Sequence, residues 1–198
     1  MVDAGIGRLL IASLHQGIAD VSPTRLEFYE NWLSPGGLRD GRMGLAPLGA
    51  VLSFLNREEP PADRDIPSRA GVCAAEWAFG AASGFRKALL PRMPVRLRAR
   101  TALGMARDLV NDTISSSKVK MRIGSGSAIV EIRSPLFDYL RDSSSLPLRR
   151  YYASAYSEVL RLCGIDGVAE ADENAPVCRL AIVLNGAPPH DSALLDVR

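Results

Sequence analysis

Reactive side chains are few and scattered in this chain, so their surroundings decide what each can do. Cys73 belongs to a series, Ala70, Cys73, Ala74, Trp77, Ala81, Phe85 and Ala88, that recurs at three- and four-residue steps. A thiol among small residues and two large aromatics either lines a hydrophobic slot or packs as a small hydrophobe. The spacing leaves both open. Ser115 and Lys118 have the Ser-x-x-Lys spacing of some acyl enzymes. That chemistry wants the serine at a helix start with lysine one turn later. Here the pair falls between a helix end and a strand, and a connector is expected. The run Gly124–Ser127 has the look of a phosphate loop, but such a loop must leave a strand and open a helix. A second strand follows instead, so a hairpin turn is expected.

Metal and redox chemistry find little support. Cys73, Cys163 and Cys178 form no CxxC pair, and an odd count argues against a disulfide framework. His15 and His190 lie far apart in the chain. No metal, no cofactor and no catalytic residue set is therefore expected, and a binding role is preferred to an enzymatic one. From Trp77 to Arg107 there is no acid, while Arg86, Lys87, Arg92, Arg96, Arg98 and Arg100 accumulate. Nucleic-acid recognition would interleave aromatic stacking partners with such a patch. Those are missing and the arginines fall on several sides of a helix, so a solvated or ion-paired face is expected, with no nucleic acid. Arg149, Arg150, Tyr151 and Tyr152 open an amphipathic helix, as a solvated start or as the polar end of a ligand site.

The elements that must position these residues follow from periodicity. Helices are expected over residues 4–19, 22–34 and 45–56, the second announced by Ser22 as N-cap and Pro23 at the first helical position. Arg57–Pro67 is polar and proline-rich and is expected to be a linker. A long helix over 68–90 and another over 95–114 come next, the latter turning Val95, Ala99, Ala102, Leu103, Ala106, Leu109 and Val110 inward. Val119, Met121 and Ile123 alternate with Lys118, Lys120 and Arg122; Ala128, Val130 and Ile132 alternate with Ile129, Glu131 and Arg133. Period two with one charged face predicts a hairpin that is covered on one side. A helix over 148–163, with Tyr152, Ala155, Tyr156, Val159, Leu160 and Cys163 inward, ends where Gly164 suits a C-terminal cap. Short strands near 168–172 and 177–184 complete the pattern. Strands in pairs separated by helices predict an α+β fold: a two-layer sandwich with a four-stranded antiparallel sheet of two hairpins against helices. An N-terminal helical segment (1–60), an α+β domain (66–185) and a tail (186–198) are expected.

With 198 residues, 47% of them apolar, 23% charged and a net charge of +2, the chain can bury a sizeable core and carries no strong bias toward polyanions. No stretch reaches the ~18 apolar residues of a membrane span, and the short apolar run after Arg8 lacks the form of a signal peptide. A cytoplasmic protein without a membrane span is expected.

Residues 70–184 resemble the 4-vinyl reductase domain family and its relatives among the TRAPP vesicle-tethering subunits. The motifs are the small-residue helix, "LRARTAL", "VEIRSPLFD", "YYASAYSEVL" and the closing "VCRLAIVL", which is similar to that family's terminal Cys-x-aromatic strand. Only Cys178 matches the two cysteines that family members often carry around the final hairpin, and Leu180 stands where they have an aromatic residue. A cysteine-pair role is therefore not expected. The resemblance implies an apolar cavity between helices and sheet that takes a hydrophobic small molecule, and domains that dimerise. On this reading Cys73, Trp77, Ala81, Phe85, Tyr152 and Tyr156 line the site. The alternatives are a dimerising adapter that holds no ligand, with a homodimer built on helical faces, and an accessory to tetrapyrrole vinyl reduction.

Overall fold

A computed structural model describes residues 6–33, 45–140 and 145–184; the tail expected from residue 186 lies outside them. The eight described α-helices and one four-stranded antiparallel sheet make the fold α+β. No described helix is long and apolar enough to cross a membrane.

Helix α1 (Arg8–Val21) buries Leu10, Ile11, Leu14 and Ile18, the one-sided stripe its spacing predicts. Just before it, Gly7 donates its N–H to the Thr113 carbonyl at 2.8 Å. A Cβ at Gly7 would sit 1.8 Å from the Asp112 oxygen, so only glycine lets the chain pass there. Helices α2 (Leu26–Leu33) and α3 (Leu45–Leu55) pack together beside α1. Their buried side chains share one hydrophobic core with the rest of the described chain.

The linker expected over Arg57–Pro67 is only partly a linker. Helix α4 starts at Ala62 and runs to Ala81, with Ile66 and Pro67 buried. Proline inside a helix lacks the N–H that would bond the carbonyl four residues earlier. That carbonyl, on Asp63, is instead met by the Arg150 guanidinium at 3.4 Å, and the Asp63 carboxylate by the same nitrogen at 3.0 Å. The expected single helix over 68–90 is likewise split: α4 ends at Ala81 and α5 spans Gly84–Leu89. The intervening "GAASG" offers glycines and no long side chain to bury, so packing does not hold the helix together there.

Helix α6 (Val95–Thr113) turns its expected residues inward except Val95, which is exposed at the first turn. Strands β1 (Lys118–Ile123) and β2 (Ser127–Arg133) form the expected hairpin, in register from Lys118 opposite Arg133 to Ile123 opposite Ala128. Ser134 then caps the short α7 (Pro135–Tyr139), accepting from the Leu136 N–H at 3.1 Å. Helix α8 (Leu146–Leu162) leads through Gly164 at φ +69° into β3 (Gly167–Asp172) and β4 (Cys178–Leu184). The strand order is β1-β2-β4-β3, so the two hairpins join through β2 and β4.

Helices stack in depth over the inner face of the sheet. Helix α8 lies against β3 and β4, α6 flanks it, α4 lies on α8, and α1 lies on α4. Ala128, Val130, Ile132, Cys178, Leu180 and Ile182 are all buried beneath this layer. Val119 and Met121 are half-buried, but Ile123 is 42% exposed rather than covered as expected. It lies at the turn end of edge strand β1.

Candidate binding groove

The α4–α8 contact decides where open space can exist. A Cβ on Gly71 would stand 2.2 Å from the Tyr151 carbonyl oxygen and 3.0 Å from the Ala155 nitrogen. On the opposite side of α4, a Cβ on Gly17 would stand 2.7 Å from the Ile66 carbonyl oxygen. The small residues of α4 therefore serve close backbone approach on two sides. Between α8 and its other neighbours the volume is taken by Tyr151, Tyr152 and Tyr156, all fully buried. The Tyr151 hydroxyl lies 3.0 Å from Ser13 Oγ and the Tyr152 hydroxyl 2.8 Å from Thr113 Oγ1. Tyr156 Oη has no hydrogen-bond partner among the described residues. Burial raises all three phenol pKa values.

Open space lies at the outer end of the same seam. A groove of about 760 Å³ is lined by Val72 of α4, by Ser154, Ser157, Glu158 and Arg161 of α8, and by residues 164–169, from the cap of α8 into β3. Val72, Ile165 and Ala169 supply its apolar surface. Ser157 builds one wall: its hydroxyl accepts from the Ala169 N–H at 2.9 Å and donates to the Ala153 carbonyl at 3.0 Å. Glu158 is buried and held by a forked pair of bonds from Arg161, 2.7 Å from Nε and 2.5 Å from a terminal nitrogen. Gly167 forms the floor where β3 begins, because a Cβ there would come within 2.9 Å of the Val183 carbonyl oxygen.

None of the six residues named from the sequence lines this groove. Cys73 is buried on α4, and desolvation raises its thiol pKa despite the nearby Arg69 charge. Trp77 is 42% exposed and Ala81 is exposed at the end of α4. Tyr152 and Tyr156 are interior, and the Phe85 side chain lies outside the described residues. Ser154, Glu158 and Arg161, on the side of α8 away from its apolar stripe, border the groove instead. The available signal was their shared face, four and three residues apart, just ahead of Gly164 and Gly167.

The arginines at the start of α8 do structural work that a solvated helix start would not. Arg149 is buried, and its guanidinium donates to the carbonyls of Asp172 (2.7 Å), Ala175 (2.9 Å) and Val177 (3.2 Å), while Nε reaches Ser145 Oγ (3.1 Å). It thereby holds the β3–β4 turn. Arg150 ties α4 to the same turn through Asp63 and Glu173.

Among the described residues no group of three or more His, Cys, Asp or Glu is placed to hold a metal ion. Comparison with protein-family models, with curated proteins and with solved structures gave no match. Fold and site together define an α+β domain with one sheet face roofed by helices and a groove where α4, α8 and β3 meet.

Proposed function

We propose that this chain is a non-enzymatic binding domain that holds a hydrophobic small molecule at the seam of α4, α8 and β3. The observation that carries this reading is the groove itself, which is built from those three elements and has the volume of a small-ligand site, roughly 300–1,000 Å³. Val72, Ile165 and Ala169 would cover the apolar body of the guest. Ser154 and the Glu158–Arg161 pair would meet a polar end. Burial of apolar surface, at about 25 cal/mol per Å² before the costs of association, would supply the affinity. The resemblance to the 4-vinyl reductase domain family implies a guest between helices and sheet, and it supports the same reading.

Native mass spectrometry of the purified full chain tests the proposal. A retained mass that disappears on denaturation is expected. Ser154→Trp, which fills the groove from a half-buried position, should abolish the adduct while circular dichroism shows an intact fold. Trp77→Ala, away from the groove, should keep it. Retention of the adduct in Ser154→Trp would overturn the assignment.

A further inference from the structure

Among the described residues no element covers the outer face of the sheet, and its charges are arranged in order. One row across the four strands reads Lys120, Glu131, Arg179, Asp172; the next reads Arg122, Ile129, Ala181, Glu170. Cations occupy the β1 edge and acids the β3 edge. Beyond them Val183 and Val168, 57% and 50% exposed, face outward side by side. Lys120, Arg122, Arg179 and Glu170 form no ion pair among the described residues, although Lys120 and Arg179 each stand opposite Glu131, and Arg179 also opposite Asp172. Glu131 is paired with Arg133 at 3.9 Å, and Asp172 Oδ1 accepts from the Asn174 N–H at 3.1 Å.

We infer that this face binds a second copy of the same face, about a two-fold axis parallel to the strands. Such an axis lays β1 of one copy over β3 of the other and β2 over β4. Lys120 then faces Asp172 of the second copy, Glu131 faces Arg179, Arg122 faces Glu170, and Ile129 faces Ala181. Both rows are self-complementary under that operation. A two-fold across the strands would lay β1 over β1, cation on cation, and a side-by-side arrangement would bring like edges together. Charge thus selects one isologous geometry, the kind a closed dimer requires. Sheets packed this way run nearly aligned, about 30° apart. Four strands ~4.8 Å apart and six residues rising ~3.4 Å each define a face of roughly 400 Å². Two such faces bury about 800 Å², which belongs to the weak, reversible class of interface. The inference does not depend on the groove, which lies on the helical side of β3.

Sedimentation velocity on the full chain tests it. A reversible dimer is expected at about 0.05 M salt, weakened at about 0.5 M, because its charges are only partly buried. Arg122→Glu and Glu170→Arg each place like charges in opposition, and each alone should weaken dimerisation about tenfold or more. An equal mixture of the two variants should restore the dimer, because in the mixed pair every Arg122–Glu170 contact again joins opposite charges. A chain that stays monomeric at low salt overturns the inference. So does a dimer indifferent to both substitutions, which would belong to the helical faces, and so does a mixture that fails to recover.

Discussion

Arg149 offers the sharpest test of how this fold is held, because one buried guanidinium closes the β3–β4 turn. In Arg149→Met the side-chain length is kept, but the carbonyls of Asp172, Ala175 and Val177 lose their donors. A hydrogen bond to a charged group is worth about 1.5–3 kcal/mol. The guanidinium itself had to leave water, so about 1 kcal/mol net for each of the three bonds is the appropriate figure. A loss of about 3 kcal/mol follows, equivalent to a fall in Tm of roughly 6–12 °C for a chain of this size. Arg149→Lys should recover less than half of that loss, since an ammonium cannot reach three carbonyls in a fork. Thermal unfolding by circular dichroism gives the magnitude, and hydrogen exchange at residues 172–177 gives the location. A Tm within about 2 °C of the parent, with unchanged exchange at the turn, would refute the assignment.

Three further outcomes follow from the same geometry. Gly71→Ala drives a methyl into the Tyr151 carbonyl and should cost about 2–3 kcal/mol by chemical denaturation, whereas Gly104→Ala, with open space at its Cβ, should add about 0.5–1 kcal/mol. Ser157→Ala removes the acceptor for the Ala169 N–H, and should cost about 1 kcal/mol with faster exchange along β3 but not β1. Burial pushes the Cys178 thiol from its ordinary 9.0 up to about 12. The unfolded chain therefore releases this proton near pH 9 while the folded chain keeps it. Stability should fall by about 1.4 kcal/mol per pH unit between pH 9 and 12 from this group alone, and a Cys178→Ala variant should show a shallower alkaline slope.

Most of the framework was legible from local pattern. The 118–133 hairpin, the 178–184 strand and the cap at Gly164 rest on period-two alternation and on glycine's access to positive φ, which neighbouring residues determine. The break after Ala81 and the early start of α4 were not legible. A polar, proline-containing run reads as a linker until Ile66 and Pro67 are seen to be buried, with the Ile66 carbonyl against Gly17 of α1, and until Arg150 is seen to serve the carbonyl that Pro67 leaves open.

For the candidate site the division is sharper. Periodicity placed Cys73, Tyr152 and Tyr156 on apolar stripes, and the structure buries all three. Whether a stripe of small residues admits a guest or a neighbouring backbone depends on what crosses it, and that information is not local. Gly71 against Tyr151 settles the matter for α4 and α8. The charge rows on the outer sheet face obey the same rule: alternation along each strand was readable, but only the register among four strands, two of them more than thirty residues from the others, aligned Lys120 with Glu131, Arg179 and Asp172. The sequence by itself determined most of the residues that lie inward along each element, with Val95 and Ile123 at element ends as exceptions. The tertiary structure alone decided which elements meet and where space remains between them, because packing couples side chains distant in the chain.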